Sequence, residues 1–174
     1  MDVFEVIKGR RSVRRYSDKE VSAQDLKAIL DAAIHAPSAG NIQPWIFIVV
    51  KDANGRRNLA MAAYGQMFIA EAPLVIVVCA DERASAWGYG SRGRSLYCIQ
   101  DTAAAIQNIL LAAYALGLGS CWVGAFDEDS ARGVVRTPPK VRPVALIPVG
   151  YPAEEPSATR RKSLSSVIYW EKYG

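Results

Sequence analysis

Two stretches near the start of the chain decide how the sequence is interpreted. The first is Arg10-Arg11-Ser12-Val13-Arg14-Arg15-Tyr16, and the second is Ala36-Pro37-Ser38-Ala39-Gly40-Asn41-Ile42-Gln43-Pro44-Trp45. The first stretch concentrates guanidinium groups, which grip phosphate through paired hydrogen bonds. The second supplies amide and hydroxyl groups, which can donate and accept hydrogen bonds at the edge of a flat heterocycle. Together the two stretches point to a site for a phosphorylated aromatic ligand.

Composition limits the protein class. The 174 residues are 51% hydrophobic without a compositional break, so we expect one domain over residues 1–174. The net charge of +4 fits either nucleic acid or an anionic cofactor. Only Tyr16 stands among the basic residues as an aromatic ring that could stack on bases, which argues against nucleic acid. The sequence start lacks signal-peptide features and no stretch resembles a membrane span, so we expect a cytoplasmic protein without membrane contact.

Metal and dinucleotide sites are poorly supported by the sequence. The three cysteines are far apart in apolar surroundings, which predicts reduced core residues: Cys79, Cys98 and Cys121. His35 is the single histidine, and it is placed to interact with the last carbonyls of a helix, so we expect no metal site. Gly88-Tyr89-Gly90-Ser91-Arg92-Gly93 matches GxGxxG, but it lies too far from the preceding strand. Asn108 also stands where an acidic residue would be required.

Hydrophobic periodicity predicts helices and strands that do not alternate regularly, which is typical of a mixed α+β fold. The predicted helices are 23–35, 97–116 and 127–135, and the predicted strands are 45–50, 74–79, 144–149 and one that starts at 120–123. The 74–79 strand is apolar on both faces and should be central in its sheet. The 97–116 helix is apolar almost all round, so several elements or a second subunit must cover it.

The last part of the chain, 157–174, combines a cluster of basic residues with several large apolar side chains. Arg160, Arg161 and Lys162 could complete a phosphate site from the opposite side. Six large apolar residues follow and need burial: Leu164, Val167, Ile168, Tyr169, Trp170 and Tyr173. Such a tail is expected to pack on a partner subunit.

These motifs, in this order, resemble the nitroreductase family. The resemblance rests on 10–14, 37–45, Gln66 before Phe68-Ile69-Ala70-Glu71-Ala72-Pro73, the 117–126 segment and the 161–173 tail. It implies a nitroreductase-like α+β fold, with a central and mostly antiparallel sheet flanked by helices and a C-terminal tail that wraps the partner subunit. It also implies a homodimeric flavoprotein with tightly held FMN. Such an oxidoreductase transfers hydride from NADH or NADPH to a small acceptor such as a nitroaromatic or a quinone.

The resemblance also implies which residues hold FMN. Phosphate and ribityl contacts are assigned to Arg10, Arg11, Ser12, Arg14, Arg160, Arg161 and Lys162. Contacts from the other subunit are assigned to Pro37, Ser38, Ala39 and Asn41, and Gln43 of the same motif is also assigned to the cofactor site. Contacts to the flavin ring are assigned to Gln66, Trp122, Val123, Gly124 and Ala125, with a backbone N–H near Gly124 or Ala125 directed at N5. No general acid or base is expected, because the cofactor carries the redox chemistry.

Three alternatives stay open at this point. Any one of Arg160, Arg161 and Lys162 could close the phosphate site, with Arg161 the first choice. The 81–95 segment is where related enzymes place a lid, so Trp87 or Tyr89 either stacks near the acceptor or is an ordinary surface aromatic. A protein that stores or senses flavin without turnover would share every cofactor residue with the enzyme.

Overall fold

The computed structural model describes residues 1–173 and consists of a four-stranded sheet with helices on both faces. The helices are α1 Val3–Gly9, α2 Ala23–Ile34, α3 Ala53–Ala62, α4 Phe68–Glu71, α5 Glu82–Arg92, α6 Cys98–Ala115 and α7 Glu128–Val135. The strands are β1 Trp45–Val50, β2 Leu74–Asp81, β3 Gly119–Ser120 and β4 Val141–Gly150. Ala39–Asn41 and Leu164–Ser166 form 3-10 turns, and Gly93–Tyr97 forms a π-helical turn.

The sheet is antiparallel, and its strands lie in the order β1-β2-β4-β3. The strand predicted to be central, β2, pairs with β1 on one side and β4 on the other. Its alternate residues enter two different cores. Leu74, Ile76 and Val78 pack with α2 and α6, whereas Val75, Val77 and Cys79 pack with α3 and α7. The α+β prediction is confirmed.

Local signals explain the helix bounds. Ser22 caps α2 by accepting the N–H of Asp25 at 3.0 Å, and Asp127 caps α7 by accepting the N–H of Ser130 at 2.8 Å. His35 lies at the C-terminal end of α2, where Nδ1 contacts the carbonyl of Asp31 at 2.8 Å. Gly117 has φ +76° and ends α6, because a left-handed residue redirects the chain there.

One strand is shorter than expected. The sequence places a strand start at 120–123, but β3 contains Gly119–Ser120, and Val123 forms only an isolated bridge with Leu146. Pro148 of β4 lies between these two pairings. Since proline has no N–H to donate, the ladder between the two segments is interrupted there.

The tail stays outside the core of the single chain. Residues 157–173 are all exposed, and the hydrogen bonds that start from 159–173 stay within that stretch. Trp170 is 83% exposed and Tyr173 88%. None of the helices within residues 1–173 is long and apolar enough to cross a membrane.

Candidate active site

A basic cleft joins the two ends of the chain. It has a volume of about 370 Å³ and is lined by Arg10, Arg11, Ser12, Arg14, Pro156, Ser157, Thr159 and Arg161. The Asp2 side chain accepts N–H groups at the start of α1, whose last turn leads directly into the arginines. Ser12 then runs beside Ser120, while Val13 donates to the carbonyl of Ser120 at 3.0 Å. The strand edge therefore fixes the backbone from which the arginines project.

The arginines of this cleft differ in what they bind. Arg11 Nη1 donates to three carbonyls at the end of α1, those of Lys8, Gly9 and Arg10, at 2.6, 3.1 and 2.9 Å. The guanidinium of Arg11 thus closes the helix as well as lining the cleft. In contrast, Arg10 Nε is buried without a hydrogen-bond partner among residues 1–173. A buried donor of this kind needs an acceptor, and a bound phosphate would supply one.

Arg14 lies between the other arginines of the cleft and the ring of Phe68. Its guanidinium carbon lies 5.8 Å from the ring centroid of Phe68, and its backbone N–H donates to Glu154 at 2.6 Å. Burial raises the pKa of the neighbouring Cys121 thiol, against the opposing effects of Arg14, a hydrogen bond with Ser12, and Arg10. The raised pKa favours the protonated thiol, which is the less reactive form of a cysteine.

The tail contributes one of the three basic residues that the sequence left open. Arg161 lines the cleft, and its Nη1 donates to Thr159 Oγ1 at 2.6 Å. Arg160 and Lys162 are exposed and do not line it.

A second group of predicted residues lies at the adjoining 122–126 segment. Gln66 Nε2 donates to the carbonyls of Ala63 and Ala125, both at 3.0 Å, which leaves its oxygen Oε1 free to accept. Gly124 and Ala125 are exposed, and their N–H groups donate to no atom of residues 1–173. This segment thus offers unpaired donors beside one amide acceptor.

Two further predicted ring contacts differ in accessibility. The Trp122 side chain is 40% exposed, whereas Val123 is buried and pairs with Leu146. Only Trp122 of the two therefore offers side-chain surface to a ligand in the single chain.

The 38–43 loop is a compact turn between α2 and β1. Ser38 Oγ accepts the N–H of Gln43 at 3.0 Å, and Gln43 Nε2 donates to Asn41 Oδ1 at 3.2 Å. The backbone φ is +55° at Gly40, Asn41 and Gln43. In these two bonds, Ser38 and Asn41 act as acceptors through Oγ and Oδ1. The Ser38 hydroxyl hydrogen and the Asn41 NH₂ group therefore stay available as donors. Pro37 and Asn41 are exposed, and Ala39 is half-buried.

The sheet register separates this loop from the arginines. The loop leads into Trp45, which pairs with Ala80, and Ala80 pairs with Arg142 at one end of β4. Ser120, beside the arginine segment, pairs with Val149 near the other end of β4. Seven residues along β4 and three strand spacings put these corners roughly 25–30 Å apart. A single chain therefore does not bring the two groups around one ligand.

The 81–95 segment, which the sequence left without structure, forms α5 and the π-helical turn. Trp87 is 92% exposed in an open cleft of about 600 Å³, which is also lined by Gly40, Asn41, Ile42, Asp81, Arg83 and Ala84. Tyr89 packs edge-on against Tyr97, with ring centroids 5.2 Å apart. The hydroxyl of Tyr89 also lies beside Gly40, 2.5 Å from where a Cβ would stand. Tyr89 is thus tied into the structure, whereas Trp87 is free to meet a ligand.

Sequence reasoning missed two residues that bear on these groups. Phe68 lies under Arg14, and Asp101 of α6 accepts the N–H of Ala39 at 3.1 Å. The signal for Asp101 was a lone acid in an otherwise apolar helix, because an apolar helix is buried on most sides and burial is costly for a carboxylate.

Comparison with known proteins identifies the family to which this chain is similar. The sequence profile of the nitroreductase family matches residues 7–82 and 60–151. A Methanothermobacter thermautotrophicus protein named as an NADH dehydrogenase/NAD(P)H nitroreductase is 42% identical, over 99% of this chain and 88% of its own length. A similarly named crystal structure from Bacteroides thetaiotaomicron superposes with a TM-score of 0.86 at 32% identity, covering 98% of this chain and 97% of that one.

A more distant relative carries a flavin in its name. The FMN reductase (NADPH) of Bacillus subtilis is 25% identical over 99% of this chain and 74% of its own length. The extent of these matches agrees with the order of the motifs and with the fold. The chain belongs to the nitroreductase family, and it is an oxidoreductase.

Proposed function

We propose that this protein is a homodimeric oxidoreductase that holds FMN and transfers hydride from NADH or NADPH to a small acceptor, such as a nitroaromatic or a quinone. The observation that carries the proposal is the cleft in which Arg10, Arg14 and Arg161 converge from the two ends of the chain. Its donor set suits a doubly charged phosphate, and the unpartnered Arg10 Nε fits this ligand. We further propose that residues 1–174 act as one FMN-binding domain.

FMN would supply the redox chemistry, accepting and passing on hydride. The residues of the chain bind and orient it. Arg10, Arg14 and Arg161 neutralise the phosphate, and the Ser12 hydroxyl donates to it or to the ribityl chain. Gln66 Oε1 accepts from a ring N–H, because its amide nitrogen already donates to Ala63 and Ala125. The unpaired N–H groups of Gly124 and Ala125 donate to the ring.

We propose that the second copy supplies the 38–43 loop. Two observations support this step: the loop lies far from the arginines of its own chain, and the tail leaves apolar side chains exposed that a partner would cover. The donors left on Ser38 and Asn41 would then meet the flavin of the partner. Asn41 and Trp87 both line the open cleft of about 600 Å³, so the acceptor would enter beside Trp87.

The purified protein tests the cofactor. We expect a yellow protein that releases about one FMN per chain on denaturation and oxidises NADH or NADPH with an added acceptor. The double variant R10A/R14A should bind FMN at least about 100-fold more weakly, because two charge-assisted contacts are lost. R57A is the matched control, since Arg57 is an exposed arginine of α3 that does not line the cleft.

Three outcomes would contradict the proposal. A colourless protein that does not take up added FMN would reject the cofactor. Equal FMN affinity of R10A/R14A and R57A would place the phosphate elsewhere. A yellow protein without turnover of NADH or NADPH would instead support flavin storage.

A further inference from the structure

Asp101 is a buried acid that the proposed redox chemistry does not use. The residue is 7% exposed on α6. Oδ1 accepts the N–H of Ala39, while Oδ2 is buried without a partner among residues 1–173. Ala105, one helical turn after Asp101, belongs to an apolar cluster with Ala36 and Trp45. An acid in such surroundings is costly, and a smaller apolar residue would pack there at lower cost.

The same face of α6 holds the segment before the loop at a second point. Asn108 Nδ2 donates to the carbonyl of Ala32 at 2.9 Å. Asp101, Ala105 and Asn108 follow one another at i, i+4 and i+7, and so share one face of the helix. Asn108 therefore holds the end of α2, whereas Asp101 holds the beginning of the 38–43 loop.

The loop needs such an anchor because its backbone is unfavourable. Gly40, Asn41 and Gln43 are left-handed, and a non-glycine residue is strained there unless its surroundings hold it. The other hydrogen bonds of 38–43 close within the loop itself. Tyr89 of α5 packs against Gly40, but across residues 1–173 the bond from Ala39 to Asp101 is the one hydrogen bond that joins the loop to another element.

We propose that Asp101 is a positioning residue, which fixes the 38–43 loop so that Ser38 and Asn41 meet the flavin of the partner subunit. This inference rests on the proposed function, because it takes the loop to line an FMN site. Asp101 itself touches neither cofactor nor acceptor, and it acts through the backbone of Ala39.

The test compares FMN affinity and the visible circular dichroism of bound flavin in three variants of the full-length protein. D101A removes the acceptor, so we expect FMN affinity to fall about 10-fold and the flavin dichroism to change. D101N keeps an oxygen for the N–H of Ala39 and should stay within about threefold of the unmodified protein. N108A is the matched control: it loses a similar bond on the same helix face, so it should lower the melting temperature but leave FMN affinity and dichroism unchanged.

The outcomes separate this inference from the proposed function. If the unmodified protein binds no FMN, both are overturned. If it binds FMN and D101A binds equally well with the same dichroism, only the positioning role is overturned. An equal loss of affinity in D101A and N108A would show a general packing effect and would also overturn it. Should D101A fail to fold, D101E replaces it: a carboxylate displaced by one methylene should weaken FMN binding where D101N does not.

Discussion

At the scale of single residues, the burial of Asp101 affects stability as well as the loop. Burial raises the pKa of Asp101, and the hydrogen bond from Ala39 opposes the rise. Because the pKa is higher in the folded chain than in the unfolded one, the folded protein loses stability as pH rises between the two values. The cost is complete above the folded pKa and absent below the unfolded value, near pH 4.

D101N should therefore melt at a higher temperature than the unmodified protein at pH 7–8. We expect this gain because the neutral amide avoids the cost of burying an ionised carboxylate. The gain should shrink on acidification and disappear below about pH 4. Thermal unfolding followed by circular dichroism across this range, with FMN in fixed excess, measures it. If the increase in melting temperature were the same at every pH, packing rather than the charge of Asp101 would explain it.

Trp87 is one of the two aromatic residues of the 81–95 segment whose role the sequence left open. A side chain 92% exposed beside Asn41 gains contact area only when something stacks on it. W87A should lower kcat/KM for an aromatic acceptor by roughly 3- to 10-fold, which corresponds to one lost aromatic contact. The rate with ferricyanide, which has no ring to stack, should be unchanged. Unaltered kinetics with both acceptors would leave Trp87 an ordinary surface residue.

At the scale of elements, α5 and the turn after it pack through a glycine. A Cβ on Gly93 would stand 2.1 Å from the carbonyl oxygen of Ser85, a backbone atom that cannot move aside on its own. G93A should destabilise the fold by about 1–3 kcal/mol, as overpacking does. G133A is the matched change in α7, where a Cβ meets no atom within 4 Å, and it should stabilise by about 0.5–1 kcal/mol. Urea unfolding of both variants tests the contrast, and equal midpoints would contradict it.

Elements with strong local signals were predictable from the sequence. Helix α2 begins where Ser22 predicts, and the apolar run of β1 gives both of its ends, Trp45 and Val50. In contrast, α1, α3, α4 and α5 were not predicted. The α5 segment contains Gly88 and Gly90, and the backbone of Gly90 leaves the helical region. Its packing against the 38–43 loop through Tyr89 is a tertiary contact that local propensity does not encode.

The contacts to FMN stay predictions, but part of the geometry of the arginine cleft follows from the sequence. Arg10, Ser12 and Arg14 do line one cleft, because a short segment next to a strand edge keeps them together. Of the three basic residues of the tail, the preferred candidate, Arg161, is the one that lines this cleft. The sequence marks Asp101 only as a lone acid in an apolar helix, because its contact with the loop spans 62 positions of sequence and no local pattern indicates it.

At the scale of the whole molecule, the two parts of the proposed flavin site lie at opposite corners of the sheet, so each FMN would need two chains. Two variants that damage different parts should then complement each other. One chain carries R10A/R14A, which removes the phosphate contacts, and the other carries S38A/N41A, which removes the loop donors. Each homodimer should bind FMN weakly, because both of its sites lack one part.

The mixed dimer, purified through two different affinity tags, should contain one intact site. This site combines the arginines of the S38A/N41A chain with the loop of the R10A/R14A chain, while the other site lacks both parts. We expect one FMN per dimer bound with the affinity of the unmodified protein, and about half of its activity, measured by flavin titration and NADH or NADPH oxidation. If each chain built its own site, both sites of the mixed dimer would be damaged and no tight binding would return. That result would show that the loop and the arginines do not bind the same FMN, and it would contradict the proposal that the two chains share each site.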